Sequence, residues 1–302
     1  MRSLLFVPAD HEKKLEKALA SGADALIIDL EDSVSLSAKP AAREIASRFI
    51  RAQAGRPGPR LIVRVNALAT GQTDADLDAI IPAIPYAVML PKAEGGMSVQ
   101  HLGAKMAVRE AEGDVADGAI KIIAIATETA RGVFQLGTFA GASHRLTALA
   151  WGGEDLSADL GAERNRLDDG SYADPYRLAR AMTLMGAAAA GLDPYDSVFT
   201  SFRDEAGLRA ECEAGRRDGF VAKMAIHPAQ VPVINEIFTP SASVIARARA
   251  IVAAFADNPG LGVVGIDGEM VDLPHLKRAE RLLARHKGVA SPDLEDRAVP
   301  PA

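Results

Sequence analysis

Cysteine is almost missing from this chain: Cys212 is the only one in 302 residues. That excludes an intrachain disulfide and a cysteine-based metal cluster, and makes a cytoplasmic setting the expectation. Aromatic residues are scarce at 5%, with one Trp and four Tyr, so no aromatic platform for a sugar is visible. Basic tracts are missing too. Lys and Arg total 34 against 40 Asp and Glu, a net charge of −6, which argues against nucleic acid and anionic membrane surfaces but leaves room for a local basic pocket. No apolar run approaches the roughly 20 residues needed to cross a bilayer, and the start, Met1-Arg-Ser-Leu-Leu-Phe-Val-Pro8, is too short for a signal-peptide core. A soluble protein is expected. No candidate strand is followed by a Gly-x-Gly-x-x-Gly turn, which weakens a doubly wound, dinucleotide-binding sheet as the architecture.

What is present is a regular alternation. Short apolar runs at residues 4–8, 25–30, 61–66, 87–91, 120–127, 147–151, 197–202 and 221–226 are each followed by helix-compatible sequence, the pattern of parallel βα units. Eight units suit a (β/α)8 TIM barrel, whose strands are covered on both faces and read as continuous apolar runs. The barrel is expected over residues 1–240. From 241 to 288 the pattern changes to a helix over 242–256, a Gly-rich stretch to Asp272, and a second helix from Pro274, where proline suits the first helical turn. This reads as a C-terminal helical lid or appendage, and residues 289–302 as a frayed tail.

Charged residues recur where the strands end: Asp29-Leu-Glu-Asp32, Arg64, Lys92, Glu128 and Asp155. In a barrel these ends share the face on which active sites are built. Each acid has a plainer explanation as a helix cap or first-turn residue, but five strand ends together make that explanation less adequate. Asp32 could be a cap, and Lys39 with Arg43 could be a solvated pair or partners of the acidic loop. Glu128 and Asp155 form the sharper pair, since the second lies in Gly-rich Trp151-Gly-Gly-Glu-Asp155, where backbone can approach a ligand closely. Two carboxylates with no histidine cluster suit a hard divalent cation such as Mg²⁺. A general acid/base pair of the glycosidase kind is the competing use.

Arg2-Ser-Leu-Leu-Phe-Val-Pro8, Ala23-Asp-Ala-Leu-Ile-Ile-Asp-Leu-Glu-Asp-Ser-Val34, Arg64-Val-Asn66, Met89-Leu-Pro-Lys92, Thr127-Glu-Thr-Ala-Arg-Gly132, Gly152-Gly-Glu-Asp-Leu156, Ile226-His-Pro-Ala-Gln230 and Asp267-Gly-Glu-Met-Val-Asp272 occur in this order. Together they resemble the citrate lyase β-subunit-like group of the HpcH/HpaI aldolase superfamily. The resemblance implies a Mg²⁺-dependent barrel enzyme that makes or breaks a carbon–carbon bond between a 2-oxo acid and an acyl thioester, as malyl-CoA and citramalyl-CoA lyases do. It also implies Glu128 and Asp155 as metal ligands and Arg64 as the cation facing the reacting carbonyl. Phe6 and Lys17 become further substrate contacts, with Glu31, Asp32 and Lys92 supporting the site from behind. A homotrimer, or a hexamer, is implied, in which Asp272 is the catalytic acid donated by a neighbouring subunit.

The chain departs from the group's pattern in one place. Acyl-CoA members read Phe-Val-Pro-Gly followed by an arginine that helps hold CoA, whereas here Ala9, Asp10 and His11 follow Pro8. CoA and another thioester carrier therefore both stay open. Thioester hydrolysis of a malyl-CoA-like substrate, and a citrate lyase β subunit acting only with partner subunits, are the alternatives to a free-standing lyase. His227 reads as structural, at the end of strand eight, and Arg2 as a residue of the opposite, stability face.

Overall fold

Leu4, Ile27, Ile62 and Met89 stand on four successive strands, and all four are fully buried in one apolar cluster. Their neighbours Leu5, Ile28, Val63 and Leu90 are buried in another. Side chains alternate across a strand, so a strand apolar at every position must be covered on both faces. A computed structural model describes residues 1–287 and resolves that requirement as a closed barrel of eight parallel strands with the order of the chain. The tail expected over 289–302 lies outside the described residues.

The elements run β1 (Ser3–Pro8), α1 (Glu12–Ala18), β2 (Ala25–Asp29), α2 (Lys39–Gln53), β3 (Arg60–Arg64), α3 (Thr73–Ile80), β4 (Ala87–Leu90), α4 (Gly96–Glu112), β5 (Lys121–Ile125) and α5 (Ala130–Phe134). They continue with β6 (Leu146–Ala150), α6 (Gly153–Asp159), α7 (Asp174–Ala190), β7 (Asp193–Asp196), α8 (Glu205–Asp218), β8 (Ala222–Ala225) and α9 (Val231–Phe238). The register pairs Pro8 with Asp29 and Asp29 with Arg64, so these three residues end adjacent strands at one level. Since Leu4, Ile27 and Ile62 face the inner cluster, period two sends Phe6, Asp29 and Arg64 inward as well, at the barrel mouth.

Seven expected strands are found, most of them a residue or two shorter than read. The eighth expectation is corrected: β7 is Asp193–Asp196, and residues 197–202 form the loop after it. Asp-Pro-Tyr-Asp does not look like a buried strand. It is one because Asp196, fully buried, accepts hydrogen bonds from Trp151 Nε1 at 2.6 Å and from Arg180 at 3.1 and 3.2 Å, with Lys223 of β8 3.9 Å away. On the far face Arg2 pairs with Asp24 at 2.7 Å.

The stretch 228–257 has the length and apolar composition of a membrane span. It is broken at Thr239–Pro240–Ser241, leaving helices of 8 and 16 residues, each below the roughly 20 that a bilayer requires. The same point divides the chain into two compact units, one ending at Phe238 and one beginning at Thr239. In the second unit, α10 (Ala242–Asp257) starts from the Ser241 cap, whose hydroxyl accepts from Val244 N, and packs against α11 (Leu273–Lys287). The Gly-rich stretch between them is an antiparallel hairpin, β9 (Val263–Ile266) and β10 (Glu269–Asp272). Its turn is Asp267-Gly268, both with positive φ (53° and 82°), the Asp-Gly signal of a tight hairpin.

Candidate active site

Glu128 does not cap a helix. The residue after it, Thr129, does that: its hydroxyl accepts from Gly132 N at 3.0 Å and opens α5. Glu128 is thus freed from the local role that an acid after a strand ordinarily takes, and its carboxylate turns into the barrel mouth. Only 3% of the residue is exposed. Room for it comes from Gly152, where a Cβ would stand 2.6 Å from Glu128 Cγ. The glycine at the tip of β6 is therefore required by the acid at the tip of β5.

One Glu128 oxygen accepts from the backbone N–H of Lys92. Burial pushes the carboxyl up to about 8, and the charges of Asp155 and Glu31 push in the same direction. Asp155 lies in the first turn of α6 and is one-third exposed. A buried acid beside other acids lacks charge compensation.

Arg64 faces this group from β3. Its guanidinium makes two parallel bonds to Asp29, 2.7 and 2.8 Å, and lies 4.9 Å from the Phe6 ring centroid. Nη1 is 3.0 Å from Glu31 Oε2, an ion pair without hydrogen-bond alignment, since that oxygen is buried with no hydrogen-bond partner. Burial opposes the charge on Arg64, but the bonds and charge of Asp29 outweigh it and raise the pKa further above its ordinary value. Asp29 is opposed by burial in the same way and is held below the usual carboxylate range by Arg64. A fork held at both prongs is a pre-aimed cation.

Lys92 supplies the second positive charge. Its Nζ is 2.6 Å from Glu31, 3.4 Å from Asp32 and 3.2 Å from Asp155. Burial would lower its pKa, yet the bond and charge of Glu31 hold it above the ordinary lysine value. Glu31 itself is raised, by burial first. Glu31 and Lys92 are therefore in the mouth, in contact with Arg64 and Asp155, and not behind it as the sequence suggested. Asp32 is over half exposed at the rim.

Lys39 is the buried support: its ammonium donates to Leu30 O and Glu31 O at 2.8 and 2.9 Å, fixing the loop that carries the acids. Arg43 instead pairs with Asp76 at 2.7 Å. Lys17 sits on the exposed face of α1, and His11 precedes that helix, also exposed. His227 is structural, its ring accepting from Ala229 N and stacking on Phe202. Asp272 closes β10 in the second unit, where the His275 imidazole beside it holds its carboxyl below the usual range.

The sequence reading missed Asp29 as Arg64's partner. The signal is the strand register, which sets these two oppositely charged strand ends side by side and is not given by the sequence.

Two oxygen-donor acids on adjacent strand tips, one buried and short of positive charge, fit a hard divalent cation. Among the described residues no cluster of three His, Cys, Asp or Glu forms a complete cage, but Mg²⁺ usually takes one or two protein carboxylates and completes its octahedron with water and substrate oxygens. The fold and the mouth thus define a TIM barrel of the kind that hosts metal-assisted chemistry on an anionic substrate.

Comparison with known proteins narrows this class. The family pattern described as HpcH/HpaI aldolase/citrate lyase matches residues 2–228, and the chain belongs to that family. It is 36% identical to a (3S)-malyl-CoA thioesterase of Cereibacter sphaeroides over 297 residues, 96% of each chain. It is 33% identical to the mitochondrial citramalyl-CoA lyase of Rattus norvegicus, over 93% of this chain and 85% of that one. Among solved structures, CitE of Mycobacterium tuberculosis, in complex with magnesium, acetoacetate and coenzyme A, superposes with a TM-score of 0.73 at 35% identity, covering 95% of this chain and 98% of that one.

Proposed function

We propose that this protein is a Mg²⁺-dependent carbon–carbon lyase that cleaves a 3-hydroxyacyl thioester into a 2-oxo acid and a shorter acyl thioester. The observation that carries the reading is the juxtaposition at the barrel mouth: Glu128, buried and uncapped beside Asp155, faces a guanidinium locked by Asp29. Support comes from the family and from the relatives named above.

In this reading Glu128 and Asp155 hold Mg²⁺, which, when bound, polarises the substrate hydroxyl and neighbouring carboxylate and lowers the hydroxyl pKa. The protein's own groups do the rest. The hydroxyl proton leaves to Asp272, reaching the site from a neighbouring subunit of a homotrimer, and the hydroxyl carbon becomes the 2-oxo carbonyl. The bond between that carbon and the thioester α-carbon breaks, its electron pair passing into the thioester enolate. Arg64 stabilises the negative charge that develops on the thioester oxygen, and the enolate carbon takes up a proton to close the cycle. Loss of one such donor costs about 3–4 kcal/mol in well-measured enzymes. Phe6 keeps the guanidinium plane in place from below, and Lys17 is assigned to the carrier end of the thioester. Cytoplasmic localisation belongs to the same proposal.

Thioester hydrolysis is the second reading, favoured by the 36% identity to a malyl-CoA thioesterase. There the same groups would direct water at the thioester carbonyl. Metal binding tests what both readings share. Isothermal titration of the purified protein with Mg²⁺ should give one site per chain, lost in Glu128→Gln and weakened in Asp155→Asn. Equal Mg²⁺ binding by wild type and Glu128→Gln would remove the metal assignment.

A further inference from the structure

Lys92 differs from every other charged group at the mouth in touching the acids with both ends of the residue. Its backbone N–H donates to Glu128, and its ammonium lies 3.2 Å from Asp155, 2.6 Å from Glu31 and 3.4 Å from Asp32. This double reach comes with an unusual backbone: φ of Lys92 is +49°, in the left-handed region that non-glycine residues rarely enter. Strain of this kind persists where the surroundings over-determine it.

The charge balance says what the arrangement is for. Four carboxylates, Asp29, Glu31, Asp32 and Asp155, meet two cations, Arg64 and Lys92, in this region. Arg64 is paired with Asp29 and Glu31. Asp155 therefore depends on Lys92 for its partner, and through Asp155 the ammonium competes with any other cation for the same carboxylate.

We propose that Lys92 is a resident counter-cation: it holds the acid cluster together in the metal-free protein and competes with Mg²⁺ for Asp155, so that it sets the metal affinity. The inference rests on Glu128 and Asp155 being the metal ligands. A further consequence concerns the substrate. Lys92 and the metal together give the mouth more positive charge than either alone, so an anionic substrate binds best with both present, and metal and substrate strengthen each other's binding.

The test uses the full chain with Mg²⁺ as the probe. Titration calorimetry at fixed pH should show Lys92→Met binding Mg²⁺ about tenfold more tightly than wild type, with Lys92→Arg within about threefold of it, because the charge is kept. Thermal melts in EDTA should show Lys92→Met about 2–4 °C below wild type, the deficit shrinking at saturating Mg²⁺. Lys92→Gln should tighten Mg²⁺ binding in the same way and stands in should the methionine variant not fold. Unchanged or weaker Mg²⁺ binding in the folded neutral variants would overturn the inference while leaving the ligand assignment standing. Absence of Mg²⁺ binding by wild type would overturn both.

Discussion

On the proposed metal assignment, protons and Mg²⁺ should compete for Glu128, with a slope set by the burial of that carboxyl. Burial, with the charges of Asp155 and Glu31 adding to it, pushes the Glu128 carboxyl up to about 8 in the metal-free protein, so at pH 7 the group is roughly nine-tenths protonated by its titration curve. A carboxylate must lose its proton to ligate a metal. Each Mg²⁺ bound at pH 7 should then release close to one proton from this residue, and the apparent affinity should fall about tenfold per pH unit below about 8. Between pH 9 and pH 6 the loss approaches a factor of about one hundred.

Folding stability carries the same signature with the sign opposite to that of an ordinary ion-paired acid. The folded pKa is raised, so between about 4.5 and about 8 the folded state binds more protons than the unfolded one. Stability in EDTA therefore declines across that window, by on the order of 5 kcal/mol at the upper limit for this group alone, and saturating Mg²⁺ restores it. The assay is titration calorimetry in two buffers of different ionisation enthalpy, repeated at pH 6, 7 and 8, with chemical denaturation in EDTA alongside. A pH-independent Mg²⁺ affinity with no proton release would refute the argument that Glu128 is a buried, uncompensated ligand.

Further outcomes follow from the same contacts. Gly152→Ala places a methyl where Glu128 Cγ stands; it should displace that carboxylate and weaken Mg²⁺ binding at least about tenfold, measured by calorimetry, with the far-UV spectrum unchanged. Arg64→Ala strips the partner from Asp29, which is 1% exposed, and should destabilise the fold by about 3–5 kcal/mol in urea denaturation. Adding Asp29→Ala should recover part of that loss, because no charge is then left buried alone.

The barrel was legible because most of its strands are short, mainly apolar runs with helix-compatible sequence between. The exception, Asp193–Asp196, was hidden by its own chemistry. A buried aspartate becomes acceptable only when Trp151, Arg180 and Lys223 converge on it, and that convergence is a fact of tertiary structure. The hairpin after α10 was signalled by Asp267-Gly268, whose turn propensity was overshadowed by the glycine-rich composition around it.

At the site, Glu128, Asp155 and Arg64 could be picked out because strand tips of a barrel share one mouth. The roles of their neighbours could not. Gly152 was read as letting backbone approach a ligand closely, but what it makes room for is one named side chain, Glu128. Lys92 looked like a supporting residue behind the site, and only its positive φ and its distances to three carboxylates bring it into the mouth. Asp29 needed the strand register before its pairing with Arg64 could be seen.

Which bond is broken decides between the lyase and the thioesterase. Purified protein with Mg²⁺ should be given a panel of 3-hydroxyacyl-CoA thioesters, malyl-CoA and citramalyl-CoA first, with 2-oxo acid and free CoA followed separately. A 2-oxo acid and a shortened acyl-CoA should appear in equal amounts, abolished by EDTA and by Glu128→Gln. Free CoA with the intact hydroxy acid, and no 2-oxo acid, would contradict the lyase reading.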